Sequence, residues 1–172
     1  MTDKEAAFVE LLRDNDTRLR KVCSVYARGR EEQEDLYQDI LVQIWRALPS
    51  FSGEAQVGTW VYRVALNTAL SRKRADAARR TAQHETLDES HAAWRDESMG
   101  ADEALNARQQ LRRLHAAIDR LGDLDKALVT LFLDEKSYRD MSLILGISET
   151  NVGVKLGRIK KQLASWLEED PQ

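Results

Sequence analysis

The chain has 172 residues, 42% hydrophobic and 32% charged, with two prolines, eight glycines and a formal net charge of −3. That balance points to a helix-rich globular protein of one or two small domains and speaks against strand-rich and disordered classes. No apolar run approaches the roughly 18 residues of a membrane span, the opening MTDKEAAFVE lacks the features of a signal peptide, and the single Cys23 excludes an internal disulfide, so a cytoplasmic protein without membrane insertion is expected.

The charge is unevenly spread: −2 over residues 1–48, +4 over 49–81, −6 over 82–103 and +1 over 104–172. In chain order, a first helix is predicted over Lys4 to Arg28, with Phe8, Leu12, Leu19, Val22 and Tyr26 inward and Cys23 a small hydrophobe beside them. A second runs from Glu32 to Leu48, where Pro49 stops it. Its apolar arc holds Leu36, Tyr37, Ile40, Leu41, Ile44, Trp45 and Leu48. Its other arc holds Asp35, Gln38, Asp39, Val42, Gln43 and Arg46. After a loop around Phe51, Ser52 and Gly53, the stretch Gly58 to Arg80 is helical by pattern. At about 100° per residue, Val61, Tyr62, Ala65, Leu66 and Ala69 form its core arc. Trp60, Arg63, Asn67, Ser71 and Arg74 form an opposite row, so a large indole heads a basic face. The segment His84 to Gly100 is acidic and lacks an apolar stripe, as expected of a linker.

The C-terminal segment SYRDMSLILGISETNVGVKLGRIKKQL has the order of a helix-turn-helix. Ser137 caps the first helix with Asp140 as its box partner, and Tyr138, Met141 and Leu145 are its apolar stripe. Gly146 suits the left-handed position that ends a helix. Ser148 caps the next, with Val152, Leu156, Ile159 and Leu163 inward. Its opposite side shows Thr150, Asn151, Val154, Lys155, Arg158 and Lys161, side chains suited to base edges, a thymine methyl and phosphates in a major groove. Gly153 and Gly157 each cost such a helix roughly 1 kcal/mol relative to alanine.

Enzymatic readings find little support. His84, His91 and His115 have no ligand-like spacing with Cys23 or one another, and no phosphate-cradling glycine loop is present. The expectation is a protein that is not an enzyme, with no catalytic residues, metal or cofactor.

The run EDLYQDILVQIWRALPSF, then GTWVYRVALNTAL, an acidic segment, and LDKALVTLFLDEKSYRDMSLILGISETNVGVKLGRIKKQL resembles the group 4, or extracytoplasmic function (ECF), sigma factors of bacterial RNA polymerase, over about residues 6–167. The resemblance implies an all-α protein of two small domains: sigma region 2 over residues 1–81 and sigma region 4 over 101–172, joined by a flexible acidic linker, 82–100. It implies promoter DNA and core RNA polymerase as partners, through the β′ coiled coil and the β flap, and an anti-sigma factor. Asp35, Gln38, Asp39, Val42, Gln43 and Arg46 would dock on the coiled coil. Phe51, Ser52 and Gly53 fall at the base-capturing loop of the −10 element. Trp60 would offer a stacking surface, Asn67 a hydrogen bond to a base, and Arg63, Arg72, Lys73 and Arg74 charge for phosphates. Trp60 has a second reading, as a half-exposed residue packed beneath the preceding loop. Ser148, Thr150, Asn151, Val154, Lys155, Arg158 and Lys161 would meet the −35 element. The chain departs from the family pattern at Gly122, where a proline is common, and in its recognition-helix sequence SETNVGVKL. Two other classes stand beside this one: a simple helix-turn-helix repressor or activator working without core polymerase, and a helical adaptor that binds protein only.

Overall fold

The computed structural model describes residues 3–53, 56–83 and 101–169, which form seven helices and no strand. They are α1 (Asp3–Tyr26), α2 (Gly29–Ala47), α3 (Val57–Gln83), α4 (Ala101–Asp119), α5 (Asp123–Leu133), α6 (Tyr138–Leu145) and α7 (Glu149–Glu169). The chain forms two compact units, the first carrying α1–α3 and the second built around α4, α5 and α7. The protein is all-α with two domains, as expected. Helix α3 runs to Gln83, two residues into the expected linker; the rest of that segment, with His84 and His91, lies outside the described residues.

In the first unit the three helices pack pairwise. The inward arc of α3 is the one its periodicity predicts, since Val61, Tyr62, Ala65, Leu66 and Ala69 are all buried. Leu36, Ile40 and Ile44 form the buried spine of α2, while Tyr37, Leu41, Trp45 and Leu48 are half-buried. A helix in so small a bundle buries a narrow stripe, and large side chains on its flanks cover the edge. Trp45 does this at one end, edge-on to Phe8 with ring centroids 5.1 Å apart and the Lys4 ammonium 3.9 Å over its ring.

Helix α1 corrects part of the expected stripe. Phe8 and Leu12 are half-buried, whereas Leu11 and Asn15 join Leu19, Val22, Cys23 and Tyr26 in the core. Asn15 escapes an apolar count, but its polar groups are satisfied inside: its amide donates to the Leu11 carbonyl and its oxygen accepts from Arg18 Nη1, both at 2.8 Å. Burial pushes the Cys23 thiol up to about 12, so it behaves as a small hydrophobe.

Helix α2 starts three residues before the expected Glu32. Gly29 takes the left-handed φ of +71° that the sharp turn after α1 requires, and the Arg28 N–H donates to the Glu32 carboxylate at 2.8 Å in place of a capping side chain. At the other end the α-helix closes at Ala47, but Pro49 continues the chain in a 3-10 turn, Leu48–Ser50, which its fixed φ suits.

The helix-turn-helix forms where its caps predict. The Ser137 hydroxyl accepts from the Asp140 N–H at 3.0 Å and donates to the Asp140 carboxylate at 2.7 Å, so the reciprocal bond runs from hydroxyl rather than backbone. Gly146 ends α6 at φ +68°, and the Ser148 hydroxyl accepts from the Asn151 N–H at 3.2 Å. Two expected core residues of α6 move out. Met141 and Ile144 are buried, Leu145 is half-buried, and Tyr138 is 44% exposed. Tyr138 lies against α7 instead, where a Cβ on Gly153 would stand 3.4 Å from its ring, which gives that glycine a packing role. In α7, Val152, Leu156 and Ile159 are buried and Leu163 is half-buried. Helix α7 packs against α4 and α5, and the α5 run Ala127 to Leu131 is buried throughout. The Arg113 guanidinium of α4 donates to the Leu167 carbonyl at 2.8 Å.

Two predictions test this packing. Ile40→Ala should lower the unfolding free energy by about 2–5 kcal/mol in urea titration followed by circular dichroism. Val42→Ala, at a position 46% exposed, should stay within about 0.5 kcal/mol of wild type. The second concerns the Tyr37 hydroxyl, which donates to Asp16 Oδ1 at 2.6 Å while Arg20 Nε donates to Oδ2 at 2.8 Å. The Tyr37 bond, then Arg20, holds the Asp16 carboxyl below its ordinary value of 3.8. This carboxylate therefore stabilises the fold above its unfolded pKa, and that contribution is lost as pH falls through the lower folded value. Burial and the same bond push Tyr37 up to about 12, a contribution complete below the ordinary 10 and lost as pH rises through about 12. Tyr37→Phe should accordingly melt earlier than wild type at neutral pH, with the gap narrowing as pH drops below about 4. A gap constant from pH 7 to pH 2 would remove the hydrogen bond as its cause.

Candidate nucleic-acid interface

The outward side of α3 presents Arg63, Asn67, Ser71 and Arg74, all exposed, one helical turn apart. Trp60 heads the row and is half-buried. Its indole meets the Phe51 ring with centroids 5.0 Å apart and planes 44° apart. Both readings of Trp60 thus have a geometric basis: one part of the ring packs on the preceding loop, and the remainder stays on the row. Phe51 itself is placed by its N–H, which donates to the Leu48 carbonyl at 3.2 Å. Ser52 and Gly53 follow in solvent, Gly53 at φ +77°.

The three consecutive cations do not act as one group. Neighbouring residues of a helix point about 100° apart. Arg74 joins the row, Lys73 is half-buried, and Arg72 turns toward α2. There Arg72 Nη1 lies 2.8 Å from Asp39 Oδ2 and Nη2 lies 3.8 Å from Asp35 Oδ2. The structure therefore brings Arg63, Asn67 and Arg74 together with Trp60 and ties Arg72 to the neighbouring helix.

The non-core arc of α2 is exposed at all six expected positions, Asp35, Gln38, Asp39, Val42, Gln43 and Arg46. Asp35 and Asp39, one turn apart, share the Arg72 guanidinium. The remaining polar groups surround Val42, an arrangement suited to the wet rim and small apolar centre of a protein interface.

In the second unit, Ser148, Thr150, Asn151, Val154, Arg158 and Lys161 are exposed on or beside α7, with Val154 at 68%. An amide, a guanidinium and an open methyl-bearing side chain on one helix face can read adenine, guanine and thymine edges respectively. Lys155 is the exception. It is half-buried, its ammonium 3.1 Å from Asp125 Oδ1 on α5, and Arg158 Nη2 stands 3.6 Å from the other oxygen of the same carboxylate. Neither Asp125 nor the Arg72 bridge was visible to sequence reasoning. The only signal for Arg72 was its position on the flank of a helical projection. Asp125 lies 30 residues from Lys155, with no local pattern to link them. Among the described residues no three His, Cys, Asp or Glu side chains gather to hold a metal ion, and no helix is long and apolar enough to cross a membrane.

Comparison with known proteins agrees with this geometry. The family model of Sigma-70 region 2 matches residues 11–80, and that of Sigma-70, region 4 matches residues 111–163. The chain is 27% identical over 161 residues to the ECF RNA polymerase sigma factor SigM of Mycobacterium tuberculosis, covering 94% of this chain and 77% of that one. Among solved structures, the sigma factor RpoE in complex with the anti-sigma factor NepR from Bartonella quintana has a similar fold, with a TM-score of 0.77, 20% identity and 99% of each chain covered. CnrH in complex with the cytosolic domain of CnrY gives a TM-score of 0.68 at 19% identity, covering 96% of this chain and 90% of that one. A solitary helix-turn-helix regulator would match only in its second half; here both units match regions of one family, in that family's order. The chain belongs to the sigma-70 family and is an ECF RNA polymerase sigma factor.

Proposed function

We propose that this sigma factor works through three surfaces. The exposed arc of α2, from Asp35 to Arg46, docks on the β′ coiled coil of core RNA polymerase. The loop Phe51–Gly53 and the row Trp60, Arg63, Asn67 and Arg74 capture the opened −10 element by stacking, hydrogen bonding and phosphate contact, with Lys73 and Arg72 at its flanks. The α7 face from Ser148 to Lys161 enters the major groove of the −35 element, while the second unit also meets the β flap. The observation that carries this reading is the pairing of a six-residue polar arc on α2 with an aromatic-headed basic row on α3, two solvent faces of one rigid helix pair. The protein is then a recognition subunit that needs no cofactor and leaves RNA synthesis to the polymerase. Its functional domains are residues 1–81 and 101–172, with 82–100 an acidic tether. The cytoplasm, where core polymerase resides, is its place of action. RpoE and CnrH were each solved with a partner, one named as an anti-sigma factor, and we extend an anti-sigma partner to this chain. Promoter-dependent transcription with purified core polymerase tests the whole reading: a transcript from a cognate promoter is expected, and its absence counts against it.

Two predictions address individual faces. Gln38→Ala combined with Asp39→Ala should weaken core polymerase binding by roughly tenfold, the effect of about 1.4 kcal/mol. Arg72→Met serves as the control for loss of the Asp39 bridge. Unchanged affinity at unchanged melting temperature removes these two positions from the docking surface. On α7, Asn151 is nearest the helix N-terminus, the end that reaches base edges, whereas Lys161 lies more than two turns on. Asn151→Ala should change which −35 sequences are preferred, at a cost of roughly 1–3 kcal/mol for the favoured one. Lys161→Ala should weaken all sequences alike and flatten the salt slope by about one unit. Binding selection over a randomised −35 element at two salt concentrations separates these outcomes; the reverse result would mean that α7 lies the other way in the groove.

A further inference from the structure

We infer that Asp125 is a positioning residue for −35 recognition: it braces the cations of α7 from the neighbouring helix, fixing Lys155 as a strut and aiming Arg158 into the groove. The inference rests on the reading of α7 given above and assigns a role to a residue outside the recognition helix.

Three observations converge. Asp125 is only 17% exposed at its side chain, although it is the third residue of α5. A carboxylate needed only to complement a helix N-terminus does not need such burial, and Asp123, exposed in the same turn, already supplies that charge. Its two oxygens face different cations, Lys155 Nζ at 3.1 Å and Arg158 Nη2 at 3.6 Å. The two cations also differ in what they have left to offer. The Lys155 side chain is 21% exposed and its ammonium is committed to the brace, whereas Arg158 is 65% exposed. A guanidinium presents five N–H donors in a rigid fork. With one nitrogen near Asp125, the other donors of this largely exposed side chain stay available on the helix face it shares with Asn151 and Val154.

A carboxylate near a DNA-binding surface repels phosphates. Its net effect is therefore to lower indiscriminate binding while restricting where Arg158 can point. This gives the brace a signature that a purely structural residue lacks, because neutralising it should move non-specific affinity and discrimination in opposite directions. Asp125→Asn removes one negative charge from the face and releases both cations. Binding to random duplex should rise, with a salt slope steeper by about one unit.

The test uses holoenzyme assembled from core polymerase and the full chain. A −35 element is selected from a randomised pool by the wild type, and affinities for that duplex and for a scrambled one are measured at two salt concentrations, with melting temperatures recorded for each variant. Asp125→Asn should bind the scrambled duplex more tightly, yet its ratio of selected to scrambled affinity should fall by roughly fivefold or more, the scale of one well-oriented base contact. Asp125→Glu, which keeps the charge, should retain the ratio within about threefold. An unchanged ratio in Asp125→Asn overturns the inference. So does a parallel fall of both affinities with melting temperature, which marks a structural residue, or a glutamate variant that behaves like asparagine. A wild-type pool that yields no −35 preference sinks the reading of α7 itself, and the brace with it.

Discussion

The working geometry of the first unit depends on how closely α3 can lie against its two neighbours. Ala65 and Ala69 are both buried, and with no atoms beyond Cβ they let the α1 and α2 backbones approach. Tyr62, Leu66 and Val61 are buried beside them on the same face of α3. This packing brings Arg72 within reach of Asp35 and of Asp39, the latter 33 residues away in sequence. It also fixes the rotation of α3 about its own axis, and with it the direction of Trp60, Arg63, Asn67 and Arg74. A longer side chain at Ala65 or Ala69 would strain the packing, at a cost of about 1–3 kcal/mol, and would tilt two functional faces at once. The exposed arc of α2 and the outward row of α3, proposed to face polymerase and DNA, are thus parts of one packed object, and neither can be re-aimed alone.

The same arrangement recurs in the second unit with different parts. There α7 is seated on the buried run of α5, and its rotation is set by Val152, Leu156 and Ile159. One acidic group on the supporting helix α5, Asp125, then pairs with two cations of α7. These bridges differ from the ordinary surface pairs of the chain. Arg30 and Glu34, exposed at 92% and 59%, form an i,i+4 pair of the kind that contributes about 0–1 kcal/mol. Lys155 and Asp125, at 21% and 17%, are partly withdrawn from solvent and from its screening. Location rather than number decides which ion pairs shape the interface.

Much of this was legible in the sequence where the signal is local. The caps at Ser137 and Ser148, the left-handed Gly146 and the core arc of α3 follow from residue chemistry over four to eight positions, and the structure forms them there. Signals requiring two distant segments were not legible. Tyr138 reads as core until Gly153 offers it a shelf on another helix. Asn15 is a different case: its partners, Arg18 and the Leu11 carbonyl, lie on its own helix, but an apolar count passes over a polar residue. The run Arg72-Lys73-Arg74 reads as one basic patch because charge was counted along the chain rather than around the helix. For Tyr138 and Arg72 the deciding partner lay on a different element. Helices α4 and α5 were not delimited at all, although α5 carries the continuous buried run Ala127 to Leu131.

The charge balance shows why these faces need a polymerase behind them. The chain carries −3 overall, and only residues 49–81 are distinctly basic, at +4. Within that segment Arg72 is engaged by Asp35 and Asp39, and in the second unit Asp125 engages Lys155 and part of Arg158. Affinity for a polyanion grows with the number of phosphates neutralised and falls steeply with salt. Acidic partners that engage cations in this way reduce the long-range attraction for DNA of arbitrary sequence. The chain keeps short-range groups, an indole, two amides, a few aimed guanidinium edges, that act only once the duplex is already in place. On the proposed reading, docking through the α2 arc supplies that condition, because a sigma factor joined to core polymerase meets DNA at the high effective concentration of a tethered module. Weak attraction in the free state and selective contacts in the bound state are then two consequences of one design, in which acidic side chains on supporting helices restrain the cations of the reading helices.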